Sequence, residues 1–306
     1  MRREFSASLL AGLMAAAVLA PAAVRAADPT GVTVSDAGST VRTPAEQAYF
    51  DRKAQIVNDY MRVKVGTMDA AAFGAENATF FADFGLKSNV QSGAAASAAS
   101  PLVATNDLAM SQAAQSQTYY CGPAAAFELL RFLGVTKGPK AEGLTQSNLS
   151  GPKSGTCPVG YLCTDILNPK ETPWYYYSGY PHPMLSTVNA WMHTTMPMWY
   201  AQFDGSSGYQ SWLVYDVDNG YPVVVDAYEK ASASTPHLVG HPTDHVITHW
   251  ISVRGYSSTG ANSRYADSVH GSSVWWASSV PAYSWIKSGS SGLGYMMDTV
   301  PYGFVG

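Results

Sequence analysis

The sequence predicts an α+β fold in which one strongly apolar helix precedes a sheet-rich half. The run Pro123 to Leu133 is apolar on nearly every side and ends at Gly134, the pattern of a buried helix with a glycine stop. After residue 220 the chain turns to short runs rich in Val, Ile, Tyr and Trp separated by turn residues, which is how strands read. Residues 135–185 between them are rich in Gly, Pro, Ser, Thr and Tyr and predict long irregular loops.

Taken in chain order, residues 1–26 have the form of a secretory signal. Arg2 and Arg3 form a basic start, an Ala/Leu/Met-rich stretch runs from Ser6 to Ala20, and Val24-Arg25-Ala26 places small residues before a cleavage point. The apolar stretch is shorter than the roughly 20 residues that span a bilayer, so cleavage rather than anchoring is expected, with the mature chain starting near Ala27. The paired arginines partly match a twin-arginine export motif. Residues 27–105 are expected to form a helical N-terminal extension with a linker. Thr43-Pro44-Ala45-Glu46 sets a cap, a proline at the first helical position and a glutamate three residues past the cap. The helix should reach Val65, with Tyr49, Ile56, Tyr60 and Val63 on one stripe, and a second helix should cover Met68 to Asp83. Lys87 to Ser100 is Ala/Ser/Gly-rich and reads as a linker or exposed loop. Residues 106–306 then make the main domain. Its later elements are expected to be a helix carrying Leu185, Val188 and Trp191, then strands over Tyr221–Ala227, His245–Arg254, Ser263–Val269 and Ser273–Ala277.

Composition excludes several functions. With 46% hydrophobic and 13% charged residues in 306, the chain folds into a globular body. Its net charge is −4, and the 18 Lys and Arg are scattered, so the basic footprint demanded by nucleic acid or anionic lipid is missing. Loss of residues 1–26 removes three arginines and one glutamate, leaving 15 basic against 21 acidic residues, or −6. The expected product is a secreted, extracytoplasmic monomer with no membrane attachment after signal cleavage.

The cysteine count is odd, at three. Cys157 and Cys163 flank a Pro/Gly-containing loop whose ends can meet, so a local disulfide is the economical pairing. Cys121 is left over, at the first turn of the apolar helix. Free N–H groups and the positive end of the helix dipole favour a thiolate there, and the thiolate is the nucleophile. Pro123 is tolerated in a first turn, and Gly122 would let a substrate approach the backbone beside the sulfur. A base is needed next. His249, in a strand that ends at Gly255, is the candidate, and Asp267 on a neighbouring antiparallel strand can fix its tautomer. Gln115, six residues before the cysteine, can supply an oxyanion donor together with the Cys121 N–H.

Gln115 with Cys121-Gly122-Pro123 opening an apolar helix, then His249-Trp250-Ile251-Ser252-Val253-Arg254-Gly255-Tyr256, then Tyr265-Ala266-Asp267, resembles the bacteriocin-processing-peptidase-like family of papain-like cysteine peptidases, the peptidase C thirty-nine-like family. The match covers roughly Gln115 to Trp285 with an unmatched middle. The resemblance implies a papain-like fold, with the helix carrying the cysteine packed on an antiparallel sheet carrying His and Asp. It implies Cys121 as nucleophile, His249 as general base and then acid, Asp267 as its orienter and Gln115 in the oxyanion hole. It further implies a peptide or protein substrate, a thioester intermediate and no cofactor. One departure is Asp267-Ser268 where the family usually has Asp-Pro, which keeps Asn262 as the alternative residue to orient the histidine.

Other readings stand beside this one. Cys121 could be an inert buried thiol. His241, His245 and His249 recur every four residues, as zinc ligands on a helix do, but this stretch reads as loop and then strand, and no metal is expected. The 19 Tyr and 8 Trp suit a glycan- or peptide-binding surface, with Tyr175 to Tyr177 as the exposed candidates and Trp250, Trp275, Trp276 and Trp285 packed around the sheet. A cell-wall amidase or transpeptidase with the same site, and a catalytically silent binding module, are the competing functions.

Overall fold

The apolar run after Cys121 folds as the predicted helix because most of it is buried, from Gly122 to Ala126 and from Glu128 to Leu130, with Arg131 at the surface. In the computed structural model it lies against a seven-stranded antiparallel sheet. Residues 44–83, 104–166, 170–174, 182–192, 202–300 and 302–306 are described. The signal segment 1–26, Thr43, the segment Lys87 to Ser100 and Tyr175 to Tyr177 fall outside them.

The elements in order are α1 (Pro44–Lys64), α2 (Ala70–Asp83), β1 (Asn106–Asp107), α3 (Cys121–Phe132), α4 (Gln146–Ser150), α5 (Pro183–Trp191), β2 (Gln202–Asp204), α6 (Tyr209–Asp218), β3 (Val223–Glu229), β4 (Ile247–Ser257), β5 (Asn262–Ala266), β6 (Tyr283–Lys287), α7 (Leu293–Thr299) and β7 (Gly303–Val305). The strands run β2-β7-β3-β4-β5-β6, and β1 adds to β4. The three strands that matter most for the site are neighbours: β3 pairs β4 from Val223↔Val253 to Glu229↔Ile247, and β4 pairs β5 through Ser252↔Ala266.

Side chains alternate across β3 and β4, so each face of the sheet has its own core. Val224 and Trp250 face α3 and α5, joining Leu129, Leu130, Val188 and Trp191. Val223, Val225, Ile251 and Val253 face the other way, onto a cluster that includes Ile56 of α1, Leu213 of α6 and Met296 of α7. Such near-continuous apolar strands are expected where both faces of a sheet are covered.

The first helix is tied to α6 by polar bonds as well as by packing. Lys53 meets Asp216 at 3.2 Å and Lys64 meets Asp218 at 2.7 Å, all four side chains being buried or nearly so. Asp69 caps α2 through its carboxylate, which accepts the Ala72 N–H at 2.8 Å. The two helices and the sheet belong to one compact unit, Ser35–Gly306.

Three expectations change. The segment 273–277 is not a strand: it forms turns leading into a short 3₁₀ turn, Ala277–Ser279, and the sheet takes Tyr283–Lys287 instead. α6 lies where no helix was expected, because its periodicity is blurred by apolar residues on most sides. Trp275 stands 74% exposed and Trp285 42%, while Trp250 is fully buried.

Candidate active site

Cys121 is the first residue of α3, directly after the cap residue Tyr120, and is half-buried. Its neighbourhood is held by the irregular segment that the sequence left without a role. Tyr120 donates its hydroxyl to Asp165 Oδ2 at 2.5 Å, Ser150 donates to the same oxygen at 2.6 Å, and Tyr119 donates to Oδ1 at 3.1 Å. Asp165 lies two residues past Cys163, which is bonded to Cys157 with 5.5 Å between their Cα atoms. The disulfide therefore pins the loop that anchors the approach to the cysteine. Burial raises the Asp165 carboxyl, but the hydroxyls of Ser150, Tyr120 and Tyr119 hold it below the usual carboxylate range.

Gly122 serves a different purpose from the one expected. A Cβ there would overlap the side chain of Thr172. Thr172 is itself fixed, its hydroxyl 2.6 Å from that of Thr164 and its carbonyl accepting the Trp250 indole N–H at 3.0 Å. The glycine thus makes room for a buried threonine rather than for a substrate.

His249 is buried on β4, and Asp267 follows β5 directly, one residue beyond the Ser252↔Ala266 pair. His249 Nε2 lies 3.0 Å from Asp267 Oδ1. The same carboxylate oxygen accepts the Val269 N–H at 3.0 Å, and the Asp267 carbonyl accepts from Gln112 at 3.0 Å. With Nε2 turned to Asp267, Nδ1 is the ring nitrogen left over, and Cys121 lies near enough to act on the ring's proton affinity. Burial pushes the imidazole proton affinity down, and the Asp267 charge and hydrogen bond together with Cys121 push it well above the ordinary value. Burial likewise opposes ionisation of Asp267, but His249 and His241 hold its carboxyl far below the carboxylate range.

Gln115 is buried beside them. Its side-chain amide donates to the carbonyls of Gln117 and Thr118 at 3.0 and 2.8 Å, and its Oε1 accepts the Ser268 hydroxyl at 3.1 Å. An oxyanion at Cys121 would have to compete with a loop carbonyl for one of those N–H groups. Asn262 sits at the far end of the β4–β5 hairpin, where its amide donates to Ser257 at 3.0 Å, away from His249.

Of the three histidines spaced by four, His245 is exposed and meets Asp244 at 2.7 Å, so the three do not converge. Among the described residues, His241, His249 and Asp267 offer atoms within 4.8 Å of one another, a metal-like spacing. Those atoms are engaged with each other, the Nε2 of each histidine meeting one oxygen of Asp267.

Sequence reasoning missed Asp165, Thr172, Glu229 and Asp226, and it named His241 only as a rejected zinc ligand and Ser268 only as a departure from Asp-Pro. Asp226 is buried on β3, opposite Trp250, and neither carboxylate oxygen has a hydrogen-bond partner among the described residues. Burial first, and then the nearby Cys121 and Glu171, push its carboxyl well up, so it resists ionisation. Of the residues missed, Asp226 had a signal in sequence: a carboxylate inside the apolar run Val223-Val224-Val225-Asp226-Ala227.

A half-buried cysteine at a helix start, near a buried histidine on the sheet, suits a cysteine peptidase-type hydrolase. The model of the Peptidase_C39 like family matches residues 108–292, more than half of the chain, and the chain belongs to that family. No curated protein matches the chain. No helix among the described residues is long and apolar enough to cross a membrane.

Proposed function

We propose that the protein is an exported cysteine peptidase that cleaves peptide or amide bonds through Cys121, His249 and Asp267. The observation that supports this best is the buried His249 ring, with Nε2 3.0 Å from Asp267 and its other nitrogen left for the cysteine at the start of α3. The sulfur of Cys121 attacks the scissile carbonyl carbon, and its electrons move onto the carbonyl oxygen. The Cys121 N–H and the Gln115 amide stabilise that oxyanion. Protonated His249 delivers its proton to the leaving nitrogen as the C–N bond breaks, leaving an acyl thioester. Water then attacks, His249 takes its proton, and the C–S bond breaks to release the acid. Residues 1–26 act as the export signal and residues 106–306 carry the chemistry. The bond between Cys157 and Cys163 fits an oxidising compartment.

The test is iodoacetamide labelling of the purified protein from pH 4 to 9, with the modified thiol located by mass spectrometry, beside His249→Ala. Rapid labelling of Cys121 that slows in the variant, together with hydrolysis of a peptide library that Cys121→Ala abolishes, is the expected result. Labelling that ignores His249 would overturn the proposal.

A further inference from the structure

Behind Asp267 lies a second buried histidine. His241 belongs to the loop between β3 and β4, and its position depends on Gly240, whose φ is +84°. A Cβ at Gly240 would overlap the Ser279 backbone, and Ser279 donates its hydroxyl to the Gly240 carbonyl at 2.7 Å. This contact seats the loop against the turn around Trp276, whose ring centroid is 4.3 Å from that of His241.

The His241 ring is bonded at both nitrogens. Nδ1 is 2.6 Å from Glu229 Oε1 and Nε2 is 2.9 Å from Asp267 Oδ2, and all three side chains are 0% exposed. A neutral imidazole has one N–H and one lone pair, whereas an ionised carboxylate only accepts. Neutral His241 would therefore aim a lone pair at a carboxylate in the protein interior. Two buried carboxylates also require compensation, since an unpaired buried charge is expensive. The other titratable groups facing this cluster are His249, 5.2 Å from His241 between ring centroids, His237, whose Nδ1 is 3.0 Å from Glu229 Oε2, Tyr265, whose hydroxyl accepts the Val239 N–H, and Glu128, which feels the Asp267 charge. The Leu238 N–H also binds Glu229 Oε2, at 3.0 Å.

We propose that His241 is a positioning residue, held as an imidazolium between Glu229 and Asp267, which locks Asp267 Oδ1 onto His249 and limits how strongly Asp267 attracts the His249 proton. Both Asp267 oxygens are then committed, Oδ2 to His241 and Oδ1 to His249 and the Val269 N–H. The positive charge of His241 offsets part of the Asp267 field. His249 thereby keeps a proton that it can still pass to a leaving group. This catalytic consequence rests on the proposed function, while the protonation of His241 does not.

Two measurements test it. In the wild-type protein, nitrogen-15 NMR of the His241 ring is expected to show both nitrogens protonated from pH 5 to 9, and an unprotonated ring nitrogen at pH 7 overturns the assignment. In His241→Gln, which keeps a donor for Asp267 but removes the charge, the pH dependence of Cys121 alkylation should move upward by about one unit, as expected when a like charge is removed from beside a histidine. Thermal unfolding first establishes that the variant is folded. A folded variant whose profile does not move overturns the positioning role, and Gly240→Ala, which displaces the loop without changing a titratable side chain, supplies a second variant expected to shift the same profile. The NMR readout involves neither Cys121 nor peptide hydrolysis, so its failure is separable from failure of the peptidase reading, and the alkylation profile of His241→Gln is read once wild-type labelling has been shown to depend on His249.

Discussion

Ser268 and Gln115 are joined twice: the Ser268 hydroxyl donates to Gln115 Oε1 at 3.1 Å, and the Gln115 backbone N–H donates to the Ser268 carbonyl at 2.8 Å. The residue that departs from the family's usual Asp-Pro thus links the carboxylate end of the site to the glutamine before the cysteine. A proline could accept the backbone bond but could not donate to the amide. Ser268→Ala should lower the peptide hydrolysis rate several-fold, and Gln115→Ala should lower it further, toward the roughly hundredfold or greater loss that accompanies removal of one oxyanion donor. Iodoacetamide labelling of Cys121, which forms no oxyanion, should be unchanged in both. Equal loss of labelling and hydrolysis would assign Gln115 to cysteine placement alone.

Gly122→Ala should destabilise the protein by about 1–3 kcal/mol, the usual cost of forcing an extra carbon into a packed core. The overlap is with Thr172, which cannot yield freely because Thr164 and Trp250 hold it. Thermal unfolding of the variant is the measurement. An unchanged melting temperature would show that Gly122 is there for access to the sulfur.

Glu128 of α3 is buried, and its carboxyl is pushed up to about 8, first by burial, with the Ala113 N–H bond partly opposing. The folded protein then binds this proton more tightly than the unfolded chain, whose ordinary value is 4.5. Its contribution to stability is therefore greatest at low pH and is lost as pH rises from about 4.5 to about 8. Glu128→Gln keeps an acceptor for Ala113 and has nothing to titrate. Its advantage over wild type in urea unfolding should grow across that window and then level off. A constant difference from pH 5 to 9 would show that Glu128 does not titrate there.

The candidate residues Cys121, His249 and Asp267 were legible because covalent chemistry asks for particular residue types locally. A cysteine, a glycine and a proline at a helix start, and a histidine within an apolar strand, are visible without knowing what they touch. Glu229 and His241 were not, because their meaning arises only when β3, the loop after it and the end of β5 meet. Asp165 was hidden for the same reason: nothing in Cys163-Thr164-Asp165 announces that Tyr119 and Tyr120 will bond to it. Among elements, α3 followed from an apolar run that stops at Gly134, and β4 followed from its apolar run but continues through Gly255, where β1 pairs with it, to Ser257. The false strand at 273–277 arose because Val, Trp and Trp suit a sheet by propensity, whereas that turn instead packs Trp276 on His241.

The bond between Cys157 and Cys163 closes a short loop, and on the chain-entropy model it contributes about 2 kcal/mol to stability. Its larger effect should be on the site, through Asp165 and its bonds to Tyr119 and Tyr120. Replacing both cysteines with serine should lower the melting temperature by several degrees and reduce hydrolysis more than the stability loss alone explains. Asp165→Asn, with the disulfide intact, should reproduce the loss of activity, because it weakens the acceptor for three hydroxyls while leaving the loop closed. If the double serine variant loses stability but hydrolyses peptide at the wild-type rate when folded, the loop supports the fold and not the cysteine. If Asp165→Asn alone loses activity, the anchoring of Tyr119 and Tyr120 holds Cys121 in place, and the disulfide acts only by keeping Asp165 within reach.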